Sequence, residues 1–192
     1  MAGESYLVVG LGNIGPEYAG TRHNMGFMVL DAFANASNTC FETRRYGDLA
    51  AISLKGREIY LLKPSTYMNL SGNAVRYYLS KLPVTTDRLL VVCDDINLPF
   101  GTVRMRKHGS DGGHNGLKNI NEAIETQEYV RIRLGVGHDF APGSQIDYVL
   151  GTLTEEEAAR MPAICDRVIQ GIKDWIFVGA DRSMNVLNTK NA

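Results

Sequence analysis

Apolar and polar positions along this chain follow two periods, and the switches between them outline its elements. Residues 6–9 are a continuous apolar run closed by Gly10, the pattern of a strand covered on both faces. From Met25 the apolar positions become Met28, Val29, Ala32 and Phe33, which is helical spacing. The runs 52–54 and 59–62 flank Lys55 and Gly56 and predict a hairpin. Val75, Tyr78, Leu79 and Leu82 mark a second helix, stopped by Pro83. Residues 89–92 read as another buried strand, ending at Cys93, Asp94 and Asp95. Asp95 is expected to serve as a turn or solvent-facing residue.

Val103 and Met105 alternate with Arg104 and Arg106, the period of a strand with one wet face. A glycine-rich loop over 109–116 leads to a helix carrying Leu117, Ile120 and Ile124, and 130–136 resume a strand with Arg131 and Arg133 on one face. Thr154 and Glu157 spell a capping box, with Glu155 and Glu156 suited to a first helical turn. Met161, Ile164, Cys165, Val168, Ile169, Ile172, Trp175 and Ile176 form the clearest helical stripe, which Pro162 is expected to break or kink near its start. These elements predict an α/β fold. A single domain over 1–192 holds a twisted mixed β-sheet flanked by α-helices.

Composition narrows the class. A chain of 192 residues, 44% hydrophobic and 21% charged, builds a core without disulfides or metals. Lys and Arg number 20 against 21 Asp and Glu, a net charge of -1, which excludes a uniformly basic nucleic-acid coat but not a local basic face. The three cysteines (Cys40, Cys93 and Cys165) show no CxxC spacing and read as reduced thiols. No basic segment followed by an apolar run opens the chain, and no apolar stretch reaches membrane-spanning length. A cytoplasmic protein with no membrane association is expected.

In an open α/β sheet, ligands bind beyond the carboxyl ends of the strands, so the residues after each strand carry the candidate chemistry. The first strand is followed by Asn13, Tyr18 and His23, the hairpin by Tyr67, Met68 and Asn69, the 89–92 strand by Asp94; the glycine-rich loop adds His114 and Asn115. No GxSxG elbow and no HExxH helix is present, which favours an activated water over an acyl-enzyme in any hydrolysis. Gly10, Gly12 and Gly15 spell GxGxxG, yet Pro16 and Gly20 prolong the loop and Asp31 falls inside a helix. The dinucleotide context fails. The glycines instead permit tight turns and close backbone approach.

Five ordered blocks resemble the bacterial-type peptidyl-tRNA hydrolases: VVGLGNIGPEYAGTRHNMGF, KPSTYMNLSG, DDINLPFGTVRMR, GGHNGLKNI and VRIRLGVGH. The resemblance runs nearly end to end, and TRHN with GGHNGL is far more specific than three glycines. It implies a single-domain α/β enzyme without metal or cofactor, a monomer with no obligate protein partner. Its substrate would be peptidyl-tRNA, and it would cleave the ester joining a peptide or N-blocked amino acid to the 3′ end of tRNA.

By that resemblance His23 is the general base and Asp94 its support. An imidazole accepts a proton from water near neutral pH, and a neighbouring carboxylate fixes its tautomer. Asn69 and Asn115 bind substrate or position water, and Asn13 helps separate blocked from free aminoacyl-tRNA. Amides donate and accept without titrating, and a charged free amine is expensive to desolvate. Tyr18 and Tyr67 match aromatic positions that stack on a terminal base. Met68 is expected as cleft wall or core, and His114 beside the cleft as a second acid or a structural residue. His23, Asp94 and His114 have a spacing that fits no common metal site.

The segment 101–133 carries six basic residues against four acidic ones. The resembled family holds the tRNA 5′ phosphate with a basic pair, and the resemblance makes Arg106 and Arg133 the candidates, whose guanidinium forks suit phosphate oxygens. Members of the resembled family are often distinctly basic, and this chain departs from that. Two rivals remain in other classes: a noncatalytic RNA-binding module, which would have no need of a His–Asp pair, and a nucleotide-dependent oxidoreductase.

Overall fold

The structure is a computed structural model that describes residues 4–189. Along the chain run β1 (Ser5–Gly10), α1 (Met25–Ala36), β2 (Glu42–Arg44), β3 (Gly47–Leu54), β4 (Arg57–Pro64), α2 (Ser71–Lys81) and β5 (Leu89–Asp95). They are followed by β6 (Val103–Arg106), α3 (Asn115–Ile124), β7 (Val130–Gly135), α4 (Gln145–Val149), α5 (Glu155–Val178) and α6 (Ala180–Thr189). Short 3₁₀ turns at Arg22–Asn24 and Met68–Leu70 lead directly into α1 and α2.

The strands form one seven-stranded sheet in the order β2-β3-β4-β1-β5-β7-β6. The four central strands are parallel, and the three outer ones pair antiparallel. β1 and β5 are the unbroken apolar runs, because helices cover both of their faces. On one face Val8, Leu90, Val92, Ile132 and Met105 pack with the stripe of α5 and with α1. On the other, Leu7, Val9, Val91 and Cys93 pack with Val75, Leu117 and Ile120 of α2 and α3. Lys55 and Gly56, both at positive φ, make the tight turn of the β3–β4 hairpin.

Pro162 does not break its helix. α5 runs uninterrupted for 24 residues, and both Pro162 and the Ala158 carbonyl it leaves without a donor lie on the exposed side. Burial of Met161, Ile164, Cys165 and Val168 opposite holds the helix through that gap. Three elements go beyond the apolar pattern. β2 is three exposed residues, α4 a single short turn of helix, and α6 a mostly polar helix with only Ser183 and Leu187 buried. α6 docks on the edge of the sheet, where the Asn188 amide bonds both the N–H and the C=O of Met105 at 2.8 and 3.1 Å. The open edge of β6 is satisfied in this way.

β1 lies between β4 and β5, so the chain leaves it in opposite directions. The crevice at the carboxyl ends of β1 and β5 is therefore the switch point where such sheets bind ligands. The loops after β1, β4 and β5 and the start of α3 all meet there.

Candidate active site

Glycine packing brings the two halves of the site together. A Cβ on Gly26 would lie 2.6 Å from both Leu11 N and Val92 O, so only glycine lets the start of α1 sit against β1 and β5. Of the glycines that spell GxGxxG, Gly10 packs on Gly26 and Gly12 on the Phe27 ring, both of α1, while Gly15 takes φ 119; no helix opens among them, and a 3₁₀ turn at Pro16–Tyr18 follows instead.

Each residue of the TRHN segment has its own task. Thr21 bridges to Thr152, and its Oγ1 donates to Tyr18 O at 2.7 Å. Arg22 is nearly buried; it pairs with Glu157 at 3.0 Å and lies 4.3 Å over the Tyr148 ring. Glu157 is also the far half of the Thr154 capping box, so the start of α5 anchors this turn. Asn24 accepts from Asn13 N–H at 2.8 Å through Oδ1 and donates to Asn13 O at 2.9 Å through Nδ2. That clamp leaves His23 projecting toward Asp94.

Asp94, 2% exposed, is the hub. His23 Nδ1 lies 2.9 Å from each of its carboxylate oxygens, and His114 Nε2 lies 2.9 Å from Oδ1. Burial pushes the Asp94 carboxyl up, but the adjacent imidazoles and their hydrogen bonds outweigh it and hold the group well below the usual carboxylate range. The carboxylate can only accept, so His23 carries a hydrogen on Nδ1, and the neutral ring has its lone pair on Nε2. His114 is fixed from both sides: its Nδ1 accepts from the N–H groups of Gly116 and Leu117 at 3.1 and 3.4 Å, capping α3, so Nε2–H donates to Asp94.

Ligand-capable atoms of His23, Asp94 and His114 lie within 4.8 Å of one another. They already satisfy one another through two N–H donors and one ionised carboxylate, an arrangement that suits proton chemistry. Cys93, next to Asp94, is fully buried, and burial pushes its thiol up to about 12, so it supplies no thiolate nucleophile.

The cleft around this hub has a volume of about 260 Å³. His23, Asp94, Asn13, Tyr67, Met68, Asn69, His114, Asn115 and Arg133 all line it. Asn13 Oδ1 accepts from Met68 N–H at 2.8 Å, which leaves the Asn13 NH₂ as the donor available to a ligand. Met68 is buried, while Asn69, Asn115 and Tyr67 are exposed at the rim, Tyr67 at 61%. Ile146, Val149 and Leu150, in and just after α4, form the apolar wall opposite.

Other expected residues sit differently. Tyr18 lies in the 3₁₀ turn outside the residues that line the cleft. Asp95 both caps the turn through Asn97 N–H at 2.8 Å and lines the cleft, 3.8 Å from Arg133. Arg133 donates to Ser110 O at 2.7 Å, and Arg106 is exposed. The register pairs Arg104 with Arg133 and Arg106 with Arg131, so Arg106 and Arg133 are diagonal neighbours on one face. Arg131 is fully buried, donating to the carbonyls of Gly109, Gln127 and Tyr129, and adds no surface charge. Asn24 and Arg22 do position the site, yet only their place beside His23 in TRHN pointed to them.

A family model described as peptidyl-tRNA hydrolase matches residues 7–192. The chain is 53% identical to the peptidyl-tRNA hydrolase of Phocaeicola vulgatus and 52% identical to that of Bacteroides fragilis. Each match covers 96% of this chain and 99% of the relative. The crystal structure of peptidyl-tRNA hydrolase from Acinetobacter baumannii superposes with a TM-score of 0.90 at 30% identity, covering 98% of this chain and 96% of that one.

Proposed function

The chain belongs to the peptidyl-tRNA hydrolase family and hydrolyses peptidyl-tRNA, and from that premise we propose that His23 is the general base, held by Asp94, that activates water against the ester. Water hydrogen-bonds to His23 Nε2, which takes its proton as the oxygen attacks the ester carbonyl. Asp94 stabilises the imidazolium that results. The tetrahedral intermediate carries negative charge on the former carbonyl oxygen, and the amide donors of Asn13, Asn69 and Asn115 are placed to stabilise it and to grip the peptide backbone. Collapse breaks the C–O bond. The imidazolium returns its proton to the departing ribose oxygen, the new carboxylic acid gives its remaining proton to solvent, and free tRNA and a peptide carboxylate leave.

The observation that carries this reading is the 2.9 Å contact of His23 Nδ1 with Asp94, which turns Nε2 away from the carboxylate and leaves it to accept from water. A binding module without chemistry would have no use for a buried carboxylate kept ionised between two imidazoles. Tyr67 at the rim offers a face for the terminal base, and Arg133 with Arg106 offers guanidinium groups for a phosphate. Preference for blocked substrates follows from the cost of desolvating a free ammonium among amide donors. A monomer acting in the cytoplasm fits this scheme. The cleft is built from one chain, and among the described residues no helix is long and apolar enough to cross a membrane.

The test is hydrolysis of N-acetyl-aminoacyl-tRNA beside its unblocked counterpart, in chelator. Cleavage of the blocked form alone is expected. His23→Ala is expected to lose about 10²–10⁴-fold in rate while still binding tRNA. An undiminished rate in that variant would overturn the assignment.

A further inference from the structure

The sheet edge away from the arginine ladder of β6 and β7 carries a second built surface. Between β2 and β3, Tyr46 is held at φ 64, a left-handed conformation that bulky side chains rarely adopt. Two hydrogen bonds keep it there: Tyr78 Oη donates to Arg45 O at 2.5 Å, and Ser65 N–H donates to Tyr46 O at 2.8 Å. The turn so fixed sets the Arg45 guanidinium 5.1 Å from the Tyr46 ring and 5.5 Å from the Tyr77 ring. The two rings meet edge to face at 5.2 Å. Asn73, Arg76 and Ser80 of α2 form a shallow groove with Tyr46 and Tyr77, next to the Arg45 guanidinium that lies over the two rings. Glu42 is taken up by Arg44, so among the described residues Arg45, Arg76 and Lys81 have no carboxylate partner.

The groove lies at the cleft end of the molecule. Gly47 pairs with Pro64 in the antiparallel register, which puts the Tyr46 turn beside the carboxyl end of β4, level with that of β1. α2 begins two residues after the cleft residue Asn69, so Asn73 and Arg76 follow about one and two helical turns along the same surface. A strained turn, cations without carboxylate partners and the exposed ring of Tyr46 converge here, backed by Tyr77, which packs half-buried against the core under α2. Cations clustered around an exposed tyrosine ring match a strand of nucleic acid, whose phosphates follow positive charge while its unpaired bases stack. A peptide of arbitrary sequence offers neither feature.

We propose that this groove of Arg45, Tyr46, Arg76 and Tyr77 is a second RNA-contacting surface, which holds the unpaired 3′-terminal strand of the tRNA as it enters the cleft. It rests on the peptidyl-tRNA reading given above and is separate from Arg106 and Arg133.

The experiment compares two substrates with the same acyl group: N-acetyl-aminoacyl-tRNA and N-acetyl-aminoacyl-adenosine, which has no upstream nucleotides. For Arg45→Ala/Arg76→Ala, KM on the tRNA substrate is expected to rise about tenfold with kcat unchanged, and its dependence on salt to become shallower. Kinetics on the adenosine ester are expected to match the unsubstituted enzyme. Tyr46→Gly guards against misfolding, since glycine suits φ 64 and relieves the strain; the fold should keep its Tm while KM on tRNA still rises. An unchanged KM and salt slope would overturn the proposal. So would an equal rise on both substrates, which would make the groove a peptide site. Titration with uncharged tRNA reads the groove without any cleavage, so its failure is distinct from failure of the hydrolase reading, which His23→Ala tests.

Discussion

His114 donates to Asp94 through Nε2 at 2.9 Å while its Nδ1 caps the first turn of α3, so one imidazole joins a helix terminus to the carboxylate that orients His23. Both ring nitrogens are thereby occupied. On that geometry we propose His114 as a positioning residue and not as a second acid facing the substrate. His114 lies among the residues around the cleft, with its lone pair turned toward the backbone of Gly116 and Leu117.

Two effects of His114 are separable by substitution. His114→Ala removes a hydrogen bond to a charged group, of the order of 1.5–3 kcal/mol, and a helix cap worth about 1 kcal/mol. We expect kcat for N-acetyl-aminoacyl-tRNA to fall about 10- to 100-fold with KM little changed, less than for His23→Ala. His114→Ser retains a capping oxygen but cannot reach Asp94, so it should recover stability in urea denaturation while kcat stays low. Recovery of kcat in the serine variant would show that the cap alone matters.

Asn24 is the second positioning residue. Its amide fills both hydrogen-bonding groups of the Asn13 backbone, and the Asn13 side chain in turn holds Met68 N–H. Asn24→Ala leaves those backbone groups buried without partners, which costs about 1–3 kcal/mol in stability. Because the Asn13 NH₂ then loses its fixed aim, selectivity for blocked over free aminoacyl-tRNA should fall as well as kcat/KM. The ratio of the two kcat/KM values measures it. Destabilisation with an unchanged ratio would reduce Asn24 to a purely structural role.

Much of this architecture is legible in the sequence because burial writes itself as periodicity. β1 and β5 are covered on both faces and read as unbroken apolar runs, and α5 shows a full stripe with its capping box. α6 and β2 left weaker traces, since polar contacts such as Asn188 with Met105, and not an apolar face, hold them in place. The expected break at Pro162 fails for a related reason: the sequence marks a lost hydrogen bond but not that Ala158 and Pro162 both lie on the exposed side of α5. At the site, His23, Asp94 and the three cleft asparagines were legible through their ordered motifs. The burial of Arg131 was not, because a strand alternating Arg with apolar residues looks the same whether its cations meet solvent or the carbonyls of a glycine-rich loop. Tyr18 followed from its motif alone, and the 3₁₀ turn carries it outside the cleft lining.

Asp94 also sets how the fold responds to acid. An unfolded aspartate titrates near pH ~3.9. In the folded chain burial works against the charged form, yet His23 and His114 together hold the carboxyl well below that value. The folded state therefore binds fewer protons than the unfolded state in acid, and stability rises with pH across that interval. The contribution is complete above about pH 5, begins to fall near pH ~4, and is lost as pH drops toward the folded-state value, with a limiting slope of about 1.4 kcal/mol per pH unit for one proton. Asp94→Asn cannot titrate. Urea denaturation from pH 6 down to pH 3 should show the unsubstituted chain losing stability more steeply than Asp94→Asn, so that the gap between them narrows in acid. Parallel curves would mean that the carboxyl titrates at its ordinary value, and with it would go the electrostatic basis for orienting His23.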